Sequence, residues 1–119
     1  MNKNKVMYVL LVTASIVSMS SASATSFWVT GKIKTILVDQ YYGGCMIYMD
    51  KNMGNNCPAN GWVSLDCKAQ FNDKSIETAN KKFASALAAA QSGKTVKVLV
   101  NDLNKANGYC VAKRIDVNY

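Results

Sequence analysis

Four cysteines, Cys45, Cys57, Cys67 and Cys110, and a complete lack of histidine define the chemistry open to this chain. Without imidazole there is no Ser-His-Asp triad, no Cys-His pair and no His-ligated zinc. No two cysteines form a C-x-x-C pair, so a thiolate zinc site lacks its usual ligand spacing. The acidic residues are Asp39, Asp50, Asp66, Asp73, Glu77, Asp102 and Asp116. A glycosidase needs two carboxylates about 5–10 Å apart, and these seven are scattered with no motif spacing, as surface residues are. The expectation is a protein that binds and does not catalyse, with no metal and no cofactor.

The aromatic residues carry more information. Past the N-terminal segment stand Trp28, Trp62, Tyr41, Tyr42, Tyr48, Tyr109 and Tyr119. Tyr41 and Tyr42 sit beside Asp39 and Gln40 in a turn closed by Gly43 and Gly44. Aromatic faces that pack on sugar rings, with carboxylate and amide groups for the hydroxyls, are what a glycan site requires. Asp39, Tyr41 and Tyr42 are candidate glycan contacts on that ground. The turn fits plain surface equally well. Both tryptophans also fit core or interface positions, Trp62 the better of the two.

The segment that delivers these residues starts with a basic Met1–Lys5, continues with an apolar Val6–Met19 and ends in Ala22-Ser23-Ala24. That is the three-part pattern of a secretory signal peptide cleaved after Ala24. Its apolar run is shorter than the roughly 20 residues that span a bilayer, so no stable membrane insertion is expected. The alternative is an uncleaved anchor. Cleavage leaves 95 of the 119 residues, 25–119, as a single secreted or periplasmic domain. Lys3 and Lys5 leave with the leader, so the formal charge falls from +7 to +5. A basic exported surface suits acidic glycans or anionic lipid better than nucleic acid, and solubility alone is an equal explanation. An even cysteine count in a small exported domain implies two disulfides, with three connectivities open.

Between the turns the chain alternates as strands do. Residues 28–38 place Val29, Gly31, Ile33, Thr35 and Leu37 on one face, and Gly31 marks a bulge or sharp coil. Residues 45–50 and 62–67 read as second and third strands, the latter with Val63, Leu65 and Cys67 inward, separated by an Asn- and Gly-rich loop. A helix is predicted over 75–91, capped by Asp73 or Ser75 and ended by Gly93, with Ile76, Ala79, Phe83, Ala86, Leu87 and Ala90 as its apolar stripe. Strands follow at 95–101 and 109–117 around an Asn107-Gly108 turn. Five strands with one helix between the third and fourth is the order of a small OB-fold-like barrel, mainly β. Other small α+β arrangements share that count.

Three short segments, Phe27–Ile33 (FWVTGKI), Ala88–Val98 (AAAQSGKTVKV) and Arg114–Val117 (RIDV), resemble stretches of bacterial AB5 toxin B subunits. Phe27–Ile33 is similar to the first strand of the Shiga toxin B subunit. Ala88–Val98 resembles that family's helix end and fourth strand, and Asn107-Gly108 with Arg114–Val117 falls where its last strand lies. Cys45 and Cys67 sit more like the cysteines of the subtilase-cytotoxin B subunits. The resemblance implies a homopentameric, glycan-binding ring on an OB-fold, with helices around a central pore and an enzymatic A-type partner. Subtilase-type subunits take a sialylated glycan through a small hydroxyl residue of the first strand, which puts Thr30 among the implied contacts. A Shiga-type cysteine ahead of the first strand is absent, and Cys57 and Cys110 match neither pattern. With strands two and three antiparallel and Ile47 opposite Leu65, Cys45 would face Cys67. The expected bridges are therefore Cys45–Cys67 and Cys57–Cys110, the second pinning the long loop to the last strand.

Two functions are thus open: a secreted glycan-binding protein of toxin B-subunit type, or a periplasmic or secreted structural or inhibitory partner protein with no sugar site.

Overall fold

The computed structural model describes residues 26–71 and 75–118, together with Ser15. The leader, Asp73 and Tyr119 otherwise lie outside the described residues. The elements run β1 (Ser26–Asp39), β2 (Gly44–Met49), β3 (Trp62–Ser64), α1 (Ile76–Ser92), β4 (Thr95–Ala106) and β5 (Tyr109–Val117). The strands form one closed sheet in the order β1-β2-β3-β5-β4. All neighbours are antiparallel except β3 and β5, which meet in parallel at Ser64 and Val111. This is the small OB-fold-like barrel expected, with the helix between β3 and β4.

Inward-facing side chains fill the barrel. Val29 and Ile33 of β1, Cys45, Ile47 and Met49 of β2, Val63, and Val96, Val98 and Val100 of β4 make one buried cluster with Cys110 and Ala112 of β5. β1 departs from simple alternation. Its pairing with β2 shifts between Ile33 and Thr35, a bulge that gives the strand one extra residue. The bulge lies three residues beyond Gly31, not at it. Because strand faces alternate with period two, one extra residue exchanges them. Thr35 and Leu37, expected on the core face, therefore turn outward, and Ile36 packs on the core instead. Gly31 has a separate role: a side chain there would collide with the Asp50 carboxylate, which accepts the Lys32 amide at 2.8 Å.

The third strand is shorter than expected, ending at Ser64. Its register also differs, with Ile47 opposite Val63 and not Leu65. Cys45 thus stands opposite Leu65, whose amide donates to the Cys45 carbonyl at 3.1 Å. Asp66 then takes a positive φ of 55° and turns the chain. Its buried carboxylate accepts the amides of Gln70 and Phe71, both at 2.9 Å. That turn returns Cys67 to Cys45, so the expected bridge forms by a different route, with Cα atoms 5.6 Å apart. Cys57–Cys110, also 5.6 Å between Cα atoms, ties the 51–61 loop to β5. β4 runs five residues past its expected end. Its extra length carries a bulge between Asn101 and Lys105, where Leu103 is pushed out to solvent.

Helix α1 begins at Ser75, whose hydroxyl accepts the Thr78 amide, and ends at Gly93 with φ 64°. Its fully buried residues are Ala79, Lys82, Ala86 and Ala89, with Phe83 and Ala90 packed beside them. The face thus holds Ala79, Phe83, Ala86 and Ala90 of the expected stripe and is widened to Lys82 and Ala89. Ile76 and Leu87 are exposed. Small alanines let the helix lie close on the barrel, and Lys82 crosses to β5, where its ammonium donates to the Ala112 carbonyl at 2.9 Å.

Candidate functional site

Outward-facing residues of β1, β2 and β3 leave a cavity of about 180 Å³ lined by Leu37, Tyr42, Met46, Trp62 and Tyr109. Each element supplies its residue for a local reason. Leu37 is there because the β1 bulge turned it outward, and it pairs across with Met46. Met46 alternates with the core residues Cys45 and Ile47, and forms a buried floor at 2% exposure. Trp62 opens β3, its amide donating to Asn60 Oδ1 at 3.0 Å. Tyr109 opens β5 directly after the Asn107-Gly108 turn, whose φ values of 48° and 87° suit a tight hairpin.

Tyr42 is held by its turn. The Tyr41 amide donates to Asp39 Oδ1 at 2.8 Å, and the Tyr42 carbonyl accepts the Ser64 hydroxyl at 2.7 Å. Gly43, at φ 75°, lets the backbone pass so close to Ser64 that a side chain would strike its hydroxyl. The Tyr42 ring meets Tyr109 edge to face, with centroids 5.8 Å apart. Tyr48 meets Trp62 in the same manner at 5.0 Å. Two turns and the β2–β3 face thus converge on one aromatic cavity, which is where OB-folds hold oligosaccharides and oligonucleotides.

Of the four residues expected to touch glycan, only Tyr42 lines this cavity. Asp39 is engaged in holding its own turn, and Tyr41 points to solvent. Thr30 is exposed on the other half of β1, opposite Lys97 of β4, nine positions from Asp39. Its surroundings are distinctive. Trp28, 45% exposed, has the Lys97 ammonium 5.3 Å and the Arg114 guanidinium 5.5 Å from its ring centroid, within cation–π range. Arg114 donates to both oxygens of Asp116, which raises its pKa through the hydrogen bond and then the charge.

Sequence reasoning missed Leu37, Met46 and Tyr109, and assigned Trp62 to core or interface. A signal for Met46 and Tyr48 was present: period-two alternation over β2 sets them on the face opposite Cys45 and Ile47, an apolar pair where a solvated face carries polar residues. Leu37 had no such signal, because the bulge that exposes it depends on pairing with β2.

Among the described residues no group of three potential ligands could hold a metal ion, and no helix is long and apolar enough to cross a membrane. Two disulfides fit a non-reducing, extracellular-type environment. The fold and cavity define a small, disulfide-stapled β protein of OB type. No family model, curated protein or solved structure matches the chain.

Proposed function

We propose that the chain is an exported, non-catalytic glycan-binding protein of toxin B-subunit type. The observation that carries the reading is the aromatic cavity of Tyr42, Trp62 and Tyr109 at the oligosaccharide-binding position of an OB-fold. Half-buried rings over an apolar floor suit the C–H face of a sugar, and tyrosine hydroxyls suit its rim. Thr30, next to Trp28 and Lys97, offers a second contact, and the cations there favour an acidic sugar. Assembly into a ring is supported by α1: Ile76 and Leu87, three helical turns apart on one side, are left exposed for a neighbouring copy. Secretion through a cleaved leader and association with an enzymatic A-type subunit belong to the same reading.

The test is a glycan array with the oxidised 25–119 protein, paired with its native mass. Glycan hits lost in Trp62→Ala, together with a pentamer mass, are expected. An empty array with a monomer mass overturns the reading in favour of a structural or inhibitory partner protein. A neighbouring gene for a toxin-like enzymatic subunit favours the first function, a surface-assembly operon the second.

A further inference from the structure

A second and larger cleft, about 360 Å³, opens between α1 and β5, away from the aromatic cavity. Its wall is Thr78, Lys81, Lys82 and Ser85 of the helix with Lys113, Arg114 and Ile115 of the strand. The volume lies in the roughly 300–1,000 Å³ range of ligand pockets. Four of the seven lining residues are cations, two more carry hydroxyls, and none is acidic.

Two described acids, Glu77 and Asp116, stand beside the exposed cations Lys81 and Arg114. Glu77 pairs with Lys81 at 2.9 Å, but both side chains are more than 70% exposed, where such a pair is weak and exchanges readily with solvent. Asp116 holds Arg114 through two N–H groups, leaving three of its five donors. That contact and the Trp28 ring fix the guanidinium plane, so little freedom is lost when a ligand binds. Lys82 is buried and anchored to the Ala112 carbonyl, which fixes a positive charge in the cleft wall. Three other lysines are engaged singly elsewhere: Lys68 and Lys105 donate to the carbonyls of Gln40 and Asn56, and Lys97 lies over Trp28.

We propose that the α1–β5 cleft binds a tetrahedral oxyanion, the sulfate or phosphate group of a small ligand, between the exposed cations Lys81, Lys113 and Arg114. Arginine supplies planar, paired donors to such a group and the lysines supply charge. Thr78 supplies a hydroxyl for a remaining oxygen, while the Ser85 hydroxyl, which donates to the Lys81 carbonyl at 2.9 Å, can accept from a hydroxyl of the sugar that carries the anion. The site is independent of the aromatic cavity and does not need it to bind glycan.

Amide chemical-shift titrations of the oxidised protein with inorganic phosphate and with a trisulfated heparin disaccharide test the proposal. Saturable shifts confined to residues 78–85 and 113–115 are expected with both probes. The tighter probe separates a free phosphate from a sulfated sugar as the source. Lys81→Gln with Lys113→Gln, both at exposed positions, weakens each probe at least tenfold, whereas Lys34→Gln with Lys94→Gln and the cavity variant Tyr109→Ala do not. Shifts spread over every lysine-bearing surface, or equal losses in the two lysine pairs, overturn it.

Discussion

The ring of Tyr42, carried by the β1–β2 turn, meets the ring of Tyr109, carried by the β4–β5 turn, at 71° and 5.8 Å between centroids. The two rings are 67 residues apart in the chain, and their contact adds to the link that runs from the Tyr42 carbonyl through Ser64 to Val111 of β5. The contact is therefore a second brace on the cavity wall. A double-mutant cycle over Tyr42→Ala and Tyr109→Ala is expected to show a coupling of about 0.5–1.5 kcal/mol in denaturant unfolding. Strict additivity would remove the contact from the account of the site.

Gly93 ends α1 with φ 64°, and a methyl group there would meet nothing within 4 Å. Gly93→Ala is therefore expected to cost about 1 kcal/mol through backbone conformation alone. Ser75→Ala, at the other end, is expected to cost about 1 kcal/mol through the lost cap. Both are read from thermal unfolding. An unchanged midpoint in Gly93→Ala would show that the helix ends elsewhere.

Lys82 and Lys81 are adjacent in sequence and opposite in environment: the first is 5% exposed, while the side chain of the second is 75% exposed. Lys82→Met strands the Ala112 carbonyl and is expected to lower stability by about 1–3 kcal/mol. Lys81→Met is expected to change it by less than about 0.5 kcal/mol. Equal midpoints for the two variants would place Lys82 in solvent.

The disulfides close loops of different length, 22 residues for Cys45–Cys67 and 53 for Cys57–Cys110. Loop-closure entropy assigns them roughly 3 and 4 kcal/mol respectively. Replacing Cys57 and Cys110 by alanine is expected to be at least as destabilising as replacing the other pair. It should also speed hydrogen exchange at the Met53 and Asn60 amides, which close the tethered loop. A non-reducing peptide map that joins Cys45 to Cys57 would contradict both expectations.

Much of this fold was legible because its signals are local. β5 and the Asn107-Gly108 turn lie over the expected residues, and Ser75 and Gly93 bracket the helix as caps do. But a bulge in β5 gives the core Cys110 and Ala112 before Ile115 and Val117, where unbroken alternation sets Val111, Ile115 and Val117 together. What alternation could not supply is anything decided across strands. The β1 bulge exchanged the faces of Thr35, Ile36 and Leu37, and one of the cavity residues came with it. Asp66 bent the end of β3 because its carboxylate organises amides four and five residues on, which spacing does not reveal. In the helix stripe Ala79, Phe83, Ala86 and Ala90 do meet the core, but Ile76 and Leu87 at its edge are exposed, and a lysine with a long apolar stem is buried in addition. Tyr42 was found from its turn. Tyr109 and Trp62 became its neighbours only through closure of the sheet.

That closure depends on one narrow seam. β3 and β5 pair only between Ser64 and Val111, so cutting the ring there leaves an open ribbon in the order 3-2-1-4-5 with every antiparallel pairing intact. The seam is then the hinge of any large opening, and Trp62 and Tyr109 stand on its opposite lips. Cys57–Cys110 fastens the segment leading into β3 to the first turn of β5, and so acts as a clasp across that gap. A reductant that opens this bridge should let the ribbon breathe and part the aromatic cavity while the β1, β2 and β4 pairings hold. Trp62 fluorescence and Val111 amide exchange, followed together during reduction, are expected to change ahead of the amides of Val96 and Val98.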